Sequence, residues 1–211
     1  MAKPLLADVA YQKIKEQILQ ESRDFISENY LVEFLDMSRT PIRGALQQLS
    51  HEGLITIVPN KGIFIKELTY KEVHDLYETR LAIETYNLKR LPDFITESHI
   101  SKLEQTVFEQ QKAIESEDHL LIIKLDVQFH RQLLEVVDNH NNIQIFTNLS
   151  DRLYRMNKQT LRDPYMGNRF KEHKQIIEFI KVKNYKLAIE EMEKHLNSWR
   201  TGAGYNGGIS L

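Results

Sequence analysis

The chain of 211 residues contains no cysteine. That excludes a disulfide framework and any thiolate metal site, and it fits a reducing cytoplasm. No apolar run approaches the ~20 residues that span a membrane. The N-terminus lacks the basic region and apolar stretch of a secretory signal. The expectation is a cytoplasmic protein with no membrane partner. An excess of positive charge is missing as well. The formal net charge is −2, and residues 1–68 hold eight Lys or Arg against nine Asp or Glu. Any contact with nucleic acid must then come from a local basic surface. HExxH, a nucleophile elbow and a separate acid–base pair are all missing near the histidines described below, which argues against an enzyme. What remains is ordinary globular composition, at a length that allows one or two domains.

The most informative run present is Ser38-Arg39-Thr40-Pro41-Ile42-Arg43-Gly44-Ala45-Leu46. Thr40 can cap a helix with Pro41 at its first position, and Ser38 can cap two residues earlier; the sequence does not separate the two. Ile42, Ala45, Leu46 and Leu49 recur at i, i+3, i+4 and i+7, which makes one apolar face. The other face carries Arg39, Arg43 and Gln47, groups that reach phosphates and base edges. By itself the run also fits an amphipathic surface helix with solvated arginines.

The neighbouring segments add context. Ser27 is a plausible cap for a short helix with Leu31, Phe34 and Leu35 facing inward. Asp36-Met37 leaves only a short turn, as in a helix-turn-helix. Residues 54–58 and 62–65 are apolar and β-branched around Pro59-Asn60-Lys61-Gly62, which predicts a two-stranded hairpin, or wing. Lys61 at its tip can meet a phosphate, and Gly62 allows close backbone approach.

In this order, residues 6–66 resemble the DNA-binding domain of the GntR family of bacterial transcription regulators. The Ser-Arg-Thr-Pro-Ile-Arg run, Ala45-Leu46, Leu49, Glu52-Gly53-Leu54 and Asn60-Lys61-Gly62 carry the resemblance. It implies that Ser38, Arg39, Thr40 and Arg43 contact double-stranded operator DNA, with Lys61 and Gly62 in an adjacent groove. Asn29 stands where relatives often place a further DNA-contacting residue. Three departures are visible. Residues 20–24 replace the family's Pro-Gly turn, Gly44 replaces a helix-favouring Glu, and Asp36 takes a turn position where relatives often use Gly. An interior helical glycine costs about 1 kcal/mol against alanine.

A boundary is expected near Lys66-Glu67-Leu68, giving a winged helix-turn-helix over 1–68. Thr69-Tyr70-Lys71-Glu72 is a capping-box pattern that opens a new helix. From there to residue 201 the pattern is helical, without strand alternation, and predicts an antiparallel bundle of about six helices. The fold class is thus mainly α. Residues 202–211 are expected to form a disordered tail.

Asp126 and His130, at i and i+4, project from one helical face; His173 and His195 lie on later helices. Facing helices can converge such ligands on zinc, nickel, manganese or iron. The residues alone do not demand this, since a lone helical histidine is more often a surface or hydrogen-bonded core residue. Residues 69–200 resemble the FCD effector domain of the FadR subfamily of GntR regulators: Asp126-Val127-Gln128-Phe129-His130, Glu172-His173 and Lys194-His195-Leu196 match its motifs. The resemblance implies that Asp126, His130, His173 and His195 bind a divalent metal, zinc foremost. It also implies that Arg80 meets a small carboxylate effector, whereas a salt bridge to Glu84, four residues on, accounts for Arg80 without one. His51, His74, His99, His119 and His140 match no ligand motif and are assigned to the surface. The function expected is a ligand-responsive repressor acting as a homodimer, with a metal-sensing regulator and a metalloenzyme as the alternatives.

Overall fold

The computed structural model describes residues 5–20, 25–159 and 166–198. The expected tail, 202–211, and most of the 20–24 turn lie outside the described residues. The chain divides into two compact units, Met1–Glu67 and Leu68–Leu211.

The first unit runs α1 (Leu6–Gln20), β1 (Phe25–Ile26), α2 (Glu28–Leu35), α3 (Arg39–His51), β2 (Ile55–Val58) and β3 (Gly62–Ile65). Its core gathers Ala10, Ile14 and Ile18 of α1 with Leu31, Leu35, Ile42, Ala45, Leu46 and Leu49, closed by Ile55, Ile63 and Ile65 of the sheet. Ser27 caps α2, its hydroxyl accepting from the Tyr30 amide at 3.1 Å. Asp36 ends α2 in the left-handed region at φ 51°, which a short polar side chain tolerates.

The choice between caps resolves in favour of Ser38, so α3 begins at Arg39 and Pro41 is its third residue. Pro41 still costs nothing there, because the N–H groups of a first turn have no intrahelical partner. Ser38 caps by backbone geometry alone and makes no side-chain capping bond. Phe34 departs from expectation: it is 51% exposed. Leu31 and Leu35, one turn apart, take the buried face, and Phe34 stacks on Tyr30 at 5.7 Å.

The sheet is three-stranded, in the order β1-β3-β2. The hairpin was expected; β1 was not. It pairs antiparallel with β3, Phe25 opposite Phe64 and Ile26 opposite Ile63. This strand explains Gly62. At φ +118° a side chain is strained, and a Cβ there would strike the Phe25 ring. The glycine is therefore demanded inside the wing, before any approach to DNA. Gly62→Ala is expected to cost the unit about 2 kcal/mol, lowering its Tm by roughly 8 °C or more, as read by thermal unfolding. Gly44 is the opposite case: it is exposed, and a Cβ there would have nothing within 4 Å.

The second unit holds α4 (Tyr70–Arg90), a 3₁₀ turn (Leu91–Asp93), α5 (Glu97–Glu115), α6 (His119–Val137), α7 (His140–Gln159), α8 (Met166–Lys181) and α9 (Tyr185–Asn197). Thr69 and Glu72 form the expected capping box on α4. A second box opens α5, where His99 accepts from the Thr96 amide. Asp118 caps α6 and Asn184 caps α9 through their side-chain oxygens. Pro92 sits in the 3₁₀ turn that stops α4, since proline cannot continue the helix ladder. The core between the helices includes Phe129, Leu134, Phe146, Ile176, Met192 and Leu196. Among the described residues, no helix is long and apolar enough to cross a membrane.

Candidate DNA-reading groove and metal centre

Helix α3 buries Ile42, Ala45, Leu46 and Leu49 and turns Arg39, Thr40, Arg43, Gly44 and Gln47 outward. Beside it, Asn60 takes a left-handed φ of 61°, and the Lys61 amide closes the hairpin turn onto the Val58 carbonyl at 3.0 Å. Lys61 stands exposed at the tip. Between helix and wing lies a groove of about 720 Å³, lined by Asn29, Arg39, Arg43, Gln47, Lys61 and Gly62 among others. Ser38 and Thr40 are exposed at the start of the same helix. The two arginines have 60% of their side-chain surface exposed, yet they have protein partners. Arg43 Nε donates to both oxygens of Glu28, at 3.1 and 3.0 Å. Arg39 donates to Asn29 Oδ1 at 3.2 Å. That hydrogen bond to Glu28 pushes the Arg43 guanidinium further up from its ordinary pKa. Sequence reading missed Glu28, which looks like an ordinary acid in a helix first turn.

In the second unit α6 brings Asp126 and His130 to one face, α8 adds His173 and α9 adds His195. All four are buried, with candidate ligand atoms within 4.8 Å of one another. His195 Nε2 stands 3.1 Å from His130 Nε2 and 3.2 Å from His173 Nε2. Asp126 Oδ1 lies 3.5 Å from His173 Nε2. The opposite nitrogen of every ring is already held. Nδ1 of His130 meets Glu84 at 2.6 Å, that of His173 meets the Gln110 oxygen at 3.0 Å, and that of His195 meets Glu172 at 2.8 Å. Phe129, one turn from Asp126, stacks on His173 at 4.1 Å.

This arrangement dictates proton positions. A carboxylate or amide oxygen accepts, so each ring carries its proton on Nδ1. Three Nε2 lone pairs then point at one another, and none can donate to the next. Asp126 Oδ1 is also buried without a hydrogen-bond partner. Burial depresses the histidines: His173 and His195 fall to about 3, and His130 falls well below its ordinary value. Burial works to raise Asp126, but His173, Arg169 and His130 together hold it below the usual carboxylate range. Neutral imidazoles and an ionised carboxylate are the ligand forms a divalent cation needs. Bonds of about 2.0–2.1 Å to zinc place neighbouring ligand atoms roughly 3 Å apart, as the Nε2 atoms are. The residues therefore fit such an ion, and Glu84, Gln110 and Glu172 would orient its ligands.

Arg80 is 1% exposed. Its Nε donates to Glu84 Oε1 at 2.6 Å, so the salt bridge weighed from sequence is present. That bond does not exhaust the guanidinium: Nη2 is buried with no partner. The Arg80 guanidinium lies 5.3 Å from the Tyr77 ring, and Tyr77 also accepts from Arg169 at 3.2 Å. Sequence reading singled out neither Tyr77 nor Arg169. His51, His74, His99, His119 and His140 are exposed or half-buried and stand outside this cluster.

Comparisons with known proteins agree with both units. Residues 6–65 match the profile of bacterial regulatory proteins of the gntR family, and residues 75–198 match the FCD domain. The uncharacterized HTH-type transcriptional regulator YdhC of Bacillus subtilis (strain 168) is 28% identical over 193 residues, 89% of this chain and 86% of that protein. The gluconate operon transcriptional repressor of the same organism is 26% identical over 186 residues, covering 85% of this chain and 76% of the repressor. The solved structure of E. coli McbR/YncC superimposes with a TM-score of 0.81 over 94% of this chain and 97% of its own, at 15% identity. That likeness speaks for the fold alone.

Proposed function

The chain belongs to the GntR family of bacterial regulatory proteins and carries an FCD domain, which makes it a DNA-binding transcription regulator; from that premise we propose that it is a metal-containing repressor released by a small carboxylate. Residues 1–68 would read the operator through Ser38, Arg39, Thr40, Arg43 and the Lys61–Gly62 wing tip, with Asn29 beside them. Residues 69–201 would form the sensing domain. As a homodimer it would present two recognition helices to a two-fold operator. Asp126, His130, His173 and His195 would hold a divalent ion, zinc foremost. The ion would supply a positive centre for an anionic effector.

The observation that carries this reading is the pairing of two unmet needs in one buried region. Asp126 Oδ1 is buried without a hydrogen-bond partner beside three converging Nε2 atoms, and Arg80 Nη2 is buried without an acceptor. A carboxylate answers the second, since a guanidinium pairs with it through fixed, parallel donors. An effector moves DNA affinity only by binding one conformational state better than the other.

Arg80→Lys tests it. Lysine keeps a positive charge beside Glu84 and loses the planar fork. The expected outcome is unchanged operator affinity and unchanged metal content, with the concentration of carboxylate that releases DNA raised about tenfold or more. The measurement is a gel-shift titration against a panel of small mono- and dicarboxylates. Equal responses from variant and wild type would remove Arg80 from the effector site. A second reading rests on the protein supplying four ligands by itself: the metal is the signal. In that case added metal or chelator alone shifts operator affinity, and no carboxylate does.

A further inference from the structure

Among the described residues, one acid, Glu28, lines the groove between α3 and the wing. Its carboxylate faces a surface built for a polyanion. Such a charge weakens attraction to phosphates, so its placement needs a compensating benefit.

The geometry supplies one. Glu28 and Asn29 are the first two residues of α2, and their side chains reach across to α3. Arg39 and Arg43 are one turn apart, so both guanidinium groups meet this pair. Glu28 receives Arg43 through Nε at 3.0 and 3.1 Å and lies 3.8 Å from Arg39 Nε. Both bonds to Arg43 use Nε. Those bonds to Glu28 leave the terminal Nη pair unused, and Arg43 lines the groove; such a pair is what meets guanine O6 and N7 in bidentate recognition. Held at Nε, a long side chain loses the rotamer freedom it would otherwise surrender on binding. The same carboxylate repels a bare phosphate.

We propose that Glu28 is the positioning residue of the DNA-reading groove, holding Arg43 and Arg39 so that base recognition rather than phosphate attraction sets affinity. The proposal rests on the DNA-binding reading of this groove. It assigns to α2 a share of sequence discrimination.

The test compares two affinities at one salt concentration: that for a duplex enriched by the wild-type protein from a randomised pool, and that for a random-sequence duplex. Their ratio is the readout. Glu28→Ala is expected to lower the ratio on the order of tenfold, within the range one base contact carries. Glu28→Gln keeps an acceptor oxygen without the charge. It should lower the ratio by roughly threefold, mainly by tightening random-sequence binding. Glu33→Gln removes an exposed acid of the same helix that does not line the groove, and it should leave the ratio unchanged. Thermal unfolding of each variant verifies folding, and a surface pair of this kind contributes little to stability. If Glu28→Ala keeps the wild-type ratio, or if Glu33→Gln lowers it equally, the proposal is overturned. If the wild-type protein enriches no duplex at all, the DNA reading of the groove falls, and this proposal falls with it.

Discussion

Replacing Arg43 with alanine is expected to lower operator affinity by roughly 5- to 150-fold per half-site, the span represented by about 1–3 kcal/mol for one good base contact. A dimer suffers the loss twice. The effect is confined to binding, because Arg43 leaves the fold nearly untouched. Its side chain is 60% exposed, and its described partner is the half-buried Glu28 on the same surface. Exposed ion pairs of this kind contribute about 0–1 kcal/mol. The apolar face of α3, with Ile42, Ala45, Leu46 and Leu49, stays buried. Truncation also strips Glu28 of its counter-charge within the groove, which adds repulsion to the lost contact. The measurement is a binding titration on operator and on random duplex, with metal content and unfolding followed in the same preparation. The expected pattern is a large loss on operator, a smaller one on random sequence, and no change in metal or Tm. Equal operator affinity for variant and wild type would place Arg43 outside the interface.

The second large effect concerns the helical unit. On the proposed reading that the cluster holds a divalent ion, a chelator should lower the unit's Tm by roughly 10 °C. Mass action gives about 4 kcal/mol of stabilisation when free metal exceeds the dissociation constant a thousandfold. In a domain of this size each kcal/mol moves Tm by about 2–4 °C. The local reason is that α4, α5, α6, α8 and α9 all contribute to the cluster, either as ligands or through Glu84, Gln110 and Glu172. Three Nε2 lone pairs that converge at 3.1 and 3.2 Å repel one another, and a cation between them would turn that repulsion into ligation. Re-addition of zinc should restore the transition in the wild type, and should do nothing for His195→Ala. Elemental analysis gives the stoichiometry. Identical melting curves with and without chelator, and no metal in the purified protein, would reduce the cluster to a hydrogen-bonded core.

The bundle was legible because its signals are long. Apolar residues recur at helical spacing over some twenty residues at a time, and Thr69–Glu72 announces the first helix outright. The wing was legible from its turn chemistry. Strand β1 was not, because two residues carry no period. Phe34 was misplaced because an eight-residue helix leaves its stripe ambiguous by one position, and packing chose Leu31 and Leu35. The structural demand for Gly62 went unseen, since its neighbour Phe25 is distant in sequence and lies in strand β1. The four convergent side chains in the bundle came to notice through resemblance, aided by the i, i+4 spacing of Asp126 and His130. Their supports did not. Glu84 holds His130 across 46 residues, Gln110 holds His173 across 63, and Glu172 holds His195 across 23. No local pattern encodes such pairings. Glu28 escaped for the same reason, being 15 residues from Arg43.

Gly44 has a practical consequence. It is exposed on the turn of α3 between Arg43 and Gln47, and added atoms there meet nothing within 4 Å. With no native thiol anywhere in the chain, a cysteine introduced at this position would be unique. A fluorophore or spin label attached to it would ride on the recognition helix itself, and its signal would report, in real time and in solution, each arrival and departure of a duplex.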